Sequence, residues 1–228
     1  LGVFGPKSRN LLSKLSDDDF SNENFKFSTS KKIIIKNKEI WAQRLSYVGE
    51  LGYELYIKMN ESREIYNLII EKGQEFNLSN CGMLAMDTMR MESGFLHWGH
   101  DMSPEENQFQ AGLSFTISFK KNVNFIGKDA LIKIKDKKPN KNFAMLVLKD
   151  SKPGNPLMLH DEPIYLENKI IGRTTSGNYS FNYNKNLTFG YINSSNSLND
   201  LKNKNIYVEI EKEKYLASII EKPLNQKN

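Results

Sequence analysis

Between Phe143 and Ile220 one pattern keeps returning, a short apolar run followed by turn-forming residues. The runs are Phe143 to Leu148, Pro163 to Leu166, Lys169 to Arg173, Leu187 to Tyr191, Ile206 to Ile210 and Leu216 to Ile220, and each has the length of a strand. Short strands at such intervals predict a small antiparallel barrel or sandwich. Just before them, from Ile132 to Asn142, Lys135, Asp136, Lys137, Lys138, Pro139 and Lys141 replace apolar periodicity with charge and proline, which places a boundary there.

Upstream of that boundary the pattern is mixed, so the chain as a whole reads as α+β. Leu1 to Phe4 is strand-like, Gly5-Pro6 makes a tight turn, and Leu11, Leu12 and Leu15 recur at helical spacing with Pro6 in the first turn. Asp17 to Asp19 and Ser21 to Asn24 form a loop before a β-rich run from Lys31 to Lys58. Ile65, Leu68 and Ile69 mark an amphipathic helix closed by Gly73. Leu84 to Phe95 predicts a second helix, expected to be largely buried because Leu84, Ala85, Met86, Met89 and Met91 cover more than one face. Within it Asp87 and Arg90 are three apart and can pair on one turn.

With 228 residues, 39% of them hydrophobic, the chain can build one large or two modest cores. No apolar run approaches the roughly 18 residues of a spanning helix. The single cysteine, Cys81, can form no internal disulfide and has no zinc-ligand spacing around it. It reads as an inert, half-buried thiol in a reducing compartment, since no base is evident beside it. The net charge of +5 comes from lysines scattered among acidic and Asn positions, a solvated surface and not the concentrated basic stripe of a nucleic-acid binder.

The stretch Tyr47-Val48-Gly49-Glu50-Leu51-Gly52-Tyr53-Glu54 carries the most information. Its glycines can close a tight hairpin, and with Glu50-Leu51 as the loop Tyr47 faces Glu54 across the ladder, placing phenol and carboxylate side by side. Tyr53, Leu55 and Ile57 share one face of the strand while Glu54 points from the other. Glu54 then reads either as a solvent-facing strand residue or as the acceptor of two parallel hydrogen bonds from a planar ligand with adjacent N–H donors, such as a guanidinium or a 2-aminopterin ring. His97 and His100, with Asp101 the one further nearby ligand, read as a structural corner rather than a metal pair, and Asp87 with Arg90 as an ion pair rather than a catalytic dyad. Thr174 to Gly177 reads as a barrel turn.

Seven segments occur in order: Leu1-Gly2-Val3-Phe4-Gly5-Pro6, Ser46 to Glu54, Asp87-Thr88-Met89-Arg90-Met91-Glu92-Ser93-Gly94-Phe95, His97-Trp98-Gly99-His100-Asp101, Ala111-Gly112-Leu113, Phe125-Ile126-Gly127-Lys128-Asp129-Ala130-Leu131, and Ile171 to Gly177. Together they resemble the aminomethyltransferase (glycine-cleavage T-protein) family, and more closely the C-terminal portion of dimethylglycine and sarcosine dehydrogenases. The resemblance covers nearly the whole chain. It implies an aminomethyltransferase-like tetrahydrofolate-binding segment over 1–120, a connecting helix or linker over 121–141, and a C-terminal β-barrel over 142–228.

By the same resemblance Tyr47 lines the folate pocket, Glu54 grips the pterin, and Phe115 stands where T-proteins carry a tryptophan near the p-aminobenzoyl group. Two T-protein arginines have no counterpart, at Met86 and around Lys141 to Phe143, which opens the question of what holds the outer part of the folate. The resemblance also implies that the family's catalytic aspartate and the FAD domain lie upstream of the segment matching Leu1 to Pro6 in the same polypeptide, and with no glycine-rich dinucleotide loop of its own the chain is expected to hold no flavin by itself. The small-molecule partners implied are a methylated amine and folate, with no nucleic acid, membrane or metal. The setting implied is cytoplasmic in a bacterium, or the mitochondrial matrix in a eukaryote. A stand-alone aminomethyltransferase and a noncatalytic regulatory subunit that keeps the fold are the alternatives; a folate-linked iron-sulfur maintenance protein is disfavoured because no Lys-Gly-Cys-Tyr motif surrounds Cys81.

Overall fold

The computed structural model describes residues 1–193, 197–220 and 223. The final residues of the expected 142–228 barrel therefore lie outside the described residues. The chain divides into two compact units, Leu1–Arg90 and Met91–Asn228.

The first unit is an antiparallel sheet with helices on one face. Strands β1 (Gly2–Phe4), β2 (Ser30–Ile35), β3 (Lys38–Gln43) and β4 (Gly52–Tyr56) lie in the order β1-β4-β3-β2. Lys36 and Asn37, both with positive φ, make the two-residue turn that joins β2 to β3, the geometry that matches the twist of paired strands. Alternation then sorts the side chains. Ile33, Ile35, Ile40, Ala42, Tyr53 and Leu55 are buried, together with Leu11, Leu12 and Leu15 of α1 (Ser8–Leu15) and Ile65 and Ile69 of α2 (Met59–Gly73). Each such aliphatic side chain contributes about 1.5–3 kcal/mol when fully buried. Pro6 stands in the turn before α1 and not in its first helical turn.

The link between β3 and β4 is longer than a tight hairpin. Gln43, not Tyr47, faces Glu54, and Tyr53 faces Val3 of β1. Arg44 continues the pairing begun by β2, donating its N–H to Thr29 O at 2.9 Å and accepting from Ser28 N at 3.0 Å, so the chain leaves the ladder only after Arg44. The return is tied down by Gly5 N–H donating to Leu51 O at 2.7 Å. Gly52 has a packing role: a Cβ there would lie 2.3 Å from the Phe4 ring, 3.0 Å from Ser46 Cβ and 3.1 Å from Leu45 O. Because two of those neighbours cannot swing aside, Gly52→Ala should cost about 1–3 kcal/mol. Urea unfolding of the variant checks this, and an unchanged midpoint would show that the loop yields freely.

Helix α3 (Met83–Glu92) is exposed along its first turns, with Leu84 at 79%, and buried only at Arg90, Met91 and Glu92, which corrects the expectation of a largely buried helix. The reason is positional. Apolar residues all around a helix favour burial only where another element covers them, and burial here is confined to the last turn. Asp87 and Arg90 do pair, Nε to Oδ1 at 2.7 Å, and the guanidinium is fully buried.

In the second unit six strands close a barrel in the order β10-β5-β8-β7-β6-β9. They are β5 (Lys141–Leu148), β6 (Pro163–Leu166), β7 (Lys169–Ser180), β8 (Lys185–Asn193), β9 (Ile206–Ile210) and β10 (Glu213–Ile220). All neighbours are antiparallel, and Leu146, Leu148, Ile164, Ile192, Val208 and Ile210 fill the interior. Thr174 to Gly177 lies inside β7, with a bulge between Thr174 and Ser176, and is no turn. Its polar side chains are tolerated because each is paired: Thr174 Oγ1 donates to Glu162, and Ser176 Oγ to Asp101 at 2.7 Å. A short helix α4 (Lys128–Ile134) precedes the barrel, and a single turn α5 (Leu198–Leu201) lies between β8 and β9.

Candidate functional site

On the first unit's sheet the face away from the helices carries Glu54. Directly opposed residues share a face, so Glu54 stands between Gly2 on β1 and Gln43 on β3, and Tyr56 stands opposite Trp41. Trp41 and Tyr56 are 42% and 53% exposed, both on this open face. Phe4 closes the group from the other side. Its ring lies across Gly2 and Gly52, where a Cβ on either would come within 2.6 Å of it. The carboxylate is thus flanked by three aromatic rings on a floor made of two glycines.

Tyr56 donates its hydroxyl to Glu54 Oε2 at 2.8 Å. That hydrogen bond, with the Glu54 charge, raises the phenol above its ordinary value, so Tyr56 remains a donor throughout the physiological range. Each carboxylate oxygen has two lone pairs, and Oε1 has no hydrogen-bond donor among the described residues. Tyr47 is half-buried within the loop after Arg44 and is separated from the ladder position opposite Glu54. Gln43, Tyr56, Trp41 and Phe4 were not legible as a group. Their signal was the register, which depended on the loop length that the glycines disguised.

The second unit has a slot of about 610 Å³. Phe95, Leu113, Phe115, Phe143 and Leu198 give it an apolar wall, and Asn199 and Lys202 add polar groups. Phe115 stands on a short 3₁₀ turn (Ser114–Thr116) and is 82% exposed. A second cleft, about 450 Å³, is polar and lined by Asp101, Glu106, Lys141, Arg173 and Tyr191 among others. There Lys141 pairs with Glu106 and lies 5.0 Å from the Tyr191 ring centroid. Burial pushes Tyr191 up, helped by the charges of Glu106 and Asp101.

Burial alone would raise Glu106, but hydrogen bonds from Lys141 and from Ser103 Oγ and N–H outweigh it and hold the carboxyl below its ordinary value. A carboxyl depressed in the folded state stabilises the fold above its unfolded value of about 4.3, and that stabilisation is lost as pH falls through the folded value. Glu106→Gln should therefore cost about 1–3 kcal/mol at pH 7 and flatten the loss of stability below pH ~4.5. Urea melts at both pH values check this, and a variant as acid-sensitive as the parent would remove Glu106 from the account.

His97, His100 and Asp101 form a corner. Asp101 Oδ2 accepts from His97 N–H at 2.8 Å, Asp101 N–H donates to His97 O at 2.8 Å, and the imidazole centroids are 4.7 Å apart. Cys81 is exposed, not half-buried, because it lies in the open segment before α3. Among the described residues no helix is long and apolar enough to cross a membrane.

The family model described as "GCVT N-terminal domain" matches residues 1–121, and that described as "Glycine cleavage T-protein C-terminal barrel domain" matches residues 141–225. Human mitochondrial dimethylglycine dehydrogenase is 38% identical over 227 residues, covering 98% of this chain and 25% of that protein. The 4-methylaminobutanoate oxidase (formaldehyde-forming) of Paenarthrobacter nicotinovorans is 40% identical over 179 residues, covering 78% of this chain and 21% of the oxidase. An aminomethyltransferase of Caldanaerobacter subterraneus is 34% identical over 197 residues, 85% of this chain and 50% of that protein. The solved aminomethyltransferase T of Bartonella henselae superposes with a TM-score of 0.79 at 19% identity, over 96% of this chain and 57% of that one, a likeness of fold. The chain thus spans about a quarter of the dehydrogenase and half of the aminomethyltransferase, all of them named as enzymes. Both halves of the match, the sheet-and-helix segment and the closed barrel, say the same thing: this chain belongs to the glycine-cleavage T-protein (aminomethyltransferase) family, alongside the C-terminal part of the dimethylglycine and sarcosine dehydrogenases.

Proposed function

We propose that this chain is the tetrahydrofolate-binding part of a FAD-dependent dehydrogenase or oxidase that demethylates dimethylglycine or sarcosine and passes the one-carbon unit on as 5,10-methylenetetrahydrofolate. The observation that carries the reading is Glu54. It offers an Oε1 that has no donor among the described residues, beside an Oε2 already oriented by Tyr56, opposite Gln43 in the ladder and between aromatic rings. A 2-amino-4-oxopterin presents adjacent N–H donors to a carboxylate and a carbonyl to an amide, so these residues fit its edge. Tetrahydrofolate, when bound, supplies the two nitrogens that accept the one-carbon unit.

The chain's own residues position and shield. Glu54 and Gln43 fix the ring edge, while Phe4, Trp41 and Tyr56 give it apolar surface. Tyr47, in the loop after Arg44, and Phe115, on its 3₁₀ turn, are proposed as further folate contacts. Holding the acceptor near the arriving electrophile raises its effective concentration, and excluding water suppresses release of formaldehyde. In this reading residues 1–120 supply the pterin grip, 121–141 connect, and 142–228 form the barrel. The flavin and the catalytic aspartate belong to polypeptide upstream. The identity to aminomethyltransferases supports a second reading, an aminomethyltransferase with no flavin domain.

The test uses the intact protein. Calorimetry with tetrahydrofolate should give saturable binding, and formaldehyde released from dimethylglycine or sarcosine should fall as methylenetetrahydrofolate rises. No binding, with formaldehyde unchanged by folate, overturns the proposal. Binding of folate without any oxidation of the methylated amines selects the second reading.

A further inference from the structure

We propose that Tyr56 is a positioning residue: acting through Glu54, it makes the open face of the first unit's sheet select a ring that presents two adjacent N–H donors. The inference rests on the folate reading of the preceding section and adds the residue that decides which rings the carboxylate accepts.

Register places four side chains in one block. Gln43 faces Glu54 across the ladder between β3 and β4, Trp41 faces Tyr56, and all four project from the same face because they are alternate residues of paired strands. A glutamate on such a face is ordinarily free to change rotamer, and only some rotamers turn both oxygens toward a ring edge. Here Tyr56 Oη donates to Oε2 at 2.8 Å, which ties the carboxylate to a ring on its own strand. Among the described residues no second donor reaches the Glu54 side chain, so nothing duplicates the restraint. The same bond secures the phenol proton, whose loss the Glu54 charge opposes. A carboxylate held in one plane rewards a ligand whose two donors lie side by side, and it penalises a ligand that sets a carbonyl oxygen against either of its own.

The hydrogen bond gains its meaning from where it stands. Tyr215 makes the same contact on β10, donating to Glu213 Oε2 at 3.0 Å over the same two-residue step. Glu213, however, stands opposite Ile210, which adds no polar group beside the carboxylate. Glu54 has the amide side chain of Gln43 opposite it on one strand and Gly2 on the other, with the Phe4 ring lying across that glycine. The Tyr56 and Glu54 pair is therefore set among the groups that a flat polar ring needs, whereas the Tyr215 and Glu213 pair is a surface contact of two strand residues.

The experiment is a double-mutant cycle, read by calorimetry with tetrahydrofolate on the intact protein. Tyr56→Phe keeps the ring and removes the hydroxyl, so it should weaken binding about fivefold or more. In a Glu54→Ala background the same change should alter affinity by less than about twofold, since the group through which the hydroxyl acts is gone. Tyr56 is exposed, so the variants should fold, and thermal melts verify it. Where Glu54→Ala binds too weakly to titrate, a second measurement decides: the preference for 6-methyltetrahydropterin over 6-methyltetrahydrolumazine, in which an oxygen replaces the 2-amino group, should fall about fivefold or more in Tyr56→Phe. Affinity of Tyr56→Phe within about twofold of the parent overturns the inference, as does an equal loss in both backgrounds or an unchanged preference between the two rings. In each of those cases a loss on Glu54→Ala leaves the folate reading standing. Tetrahydrofolate bound by Glu54→Ala as tightly as by the parent sinks that reading and the inference with it, so the two failures are distinguishable.

Discussion

Glu54→Gln should weaken tetrahydrofolate binding to the intact protein by about 1.5–3 kcal/mol, roughly 10- to 150-fold in Kd, the range for losing a hydrogen bond to a charged group. Glutamine keeps the size and, through its carbonyl, can still accept from the Tyr56 hydroxyl that Glu54 accepts at 2.8 Å. What it loses is the negative charge and the second acceptor. Its amide nitrogen would turn a donor toward the ring's N–H groups, an unpaired contact of donor with donor. Because Glu54 stands on the open face of the sheet and not in the core of Ile33, Ile40 and Leu55, the melting temperature should hardly change. The readout is therefore an affinity lost without stability, which calorimetry and a thermal melt measure separately. Affinity within twofold of the parent would remove Glu54 from the site.

The sequence revealed most where a run of residues had a single physical use. Pro163 to Leu166 and Ile206 to Ile210 are strands at the bounds their apolar runs imply, because each is closed by turn residues and pairs on both sides in the barrel. Leu11, Leu12 and Leu15 likewise mark the buried stripe of α1. It misled where glycine had two uses. Gly49 and Gly52 look like the corners of a hairpin, yet Gly52 makes room for the Phe4 ring, and the true loop is several residues longer. Thr174 to Gly177 looks like a turn, yet Gly172 and Gly190 allow backbones to approach inside the barrel, where a Cβ on Gly172 would meet Tyr191 O at 2.0 Å. For the site this meant that Glu54 was found and its neighbours were not. A one-strand residue can be recognised from its own pattern, whereas Gln43 and Tyr56 are its neighbours only through register and face.

The largest loss of stability should come from Asp101, although it touches no proposed ligand. Its side chain is only 1% exposed. Oδ1 accepts from Thr175 Oγ1 at 2.6 Å and Ser176 Oγ at 2.7 Å, and Oδ2 accepts from His97 N–H at 2.8 Å. Its main-chain oxygen accepts from the Tyr191 hydroxyl at 2.8 Å, so one residue fastens the 97–102 corner to β7 and β8. Asp101→Ala would leave two hydroxyls and an amide without their acceptor, each costing about 1–3 kcal/mol where nothing replaces it. Partial relaxation should bring the total to about 3–5 kcal/mol, a large share of the 5–15 kcal/mol that holds a typical domain together. Tyr191→Phe, which removes one donor and leaves the carboxylate network intact, should cost only about 1 kcal/mol. The ordering matters more than either value, because it separates a carboxylate that organises three donors from a corner held mainly by packing. Urea unfolding of both variants measures it, and losses of equal size would show that the corner is not organised by Asp101.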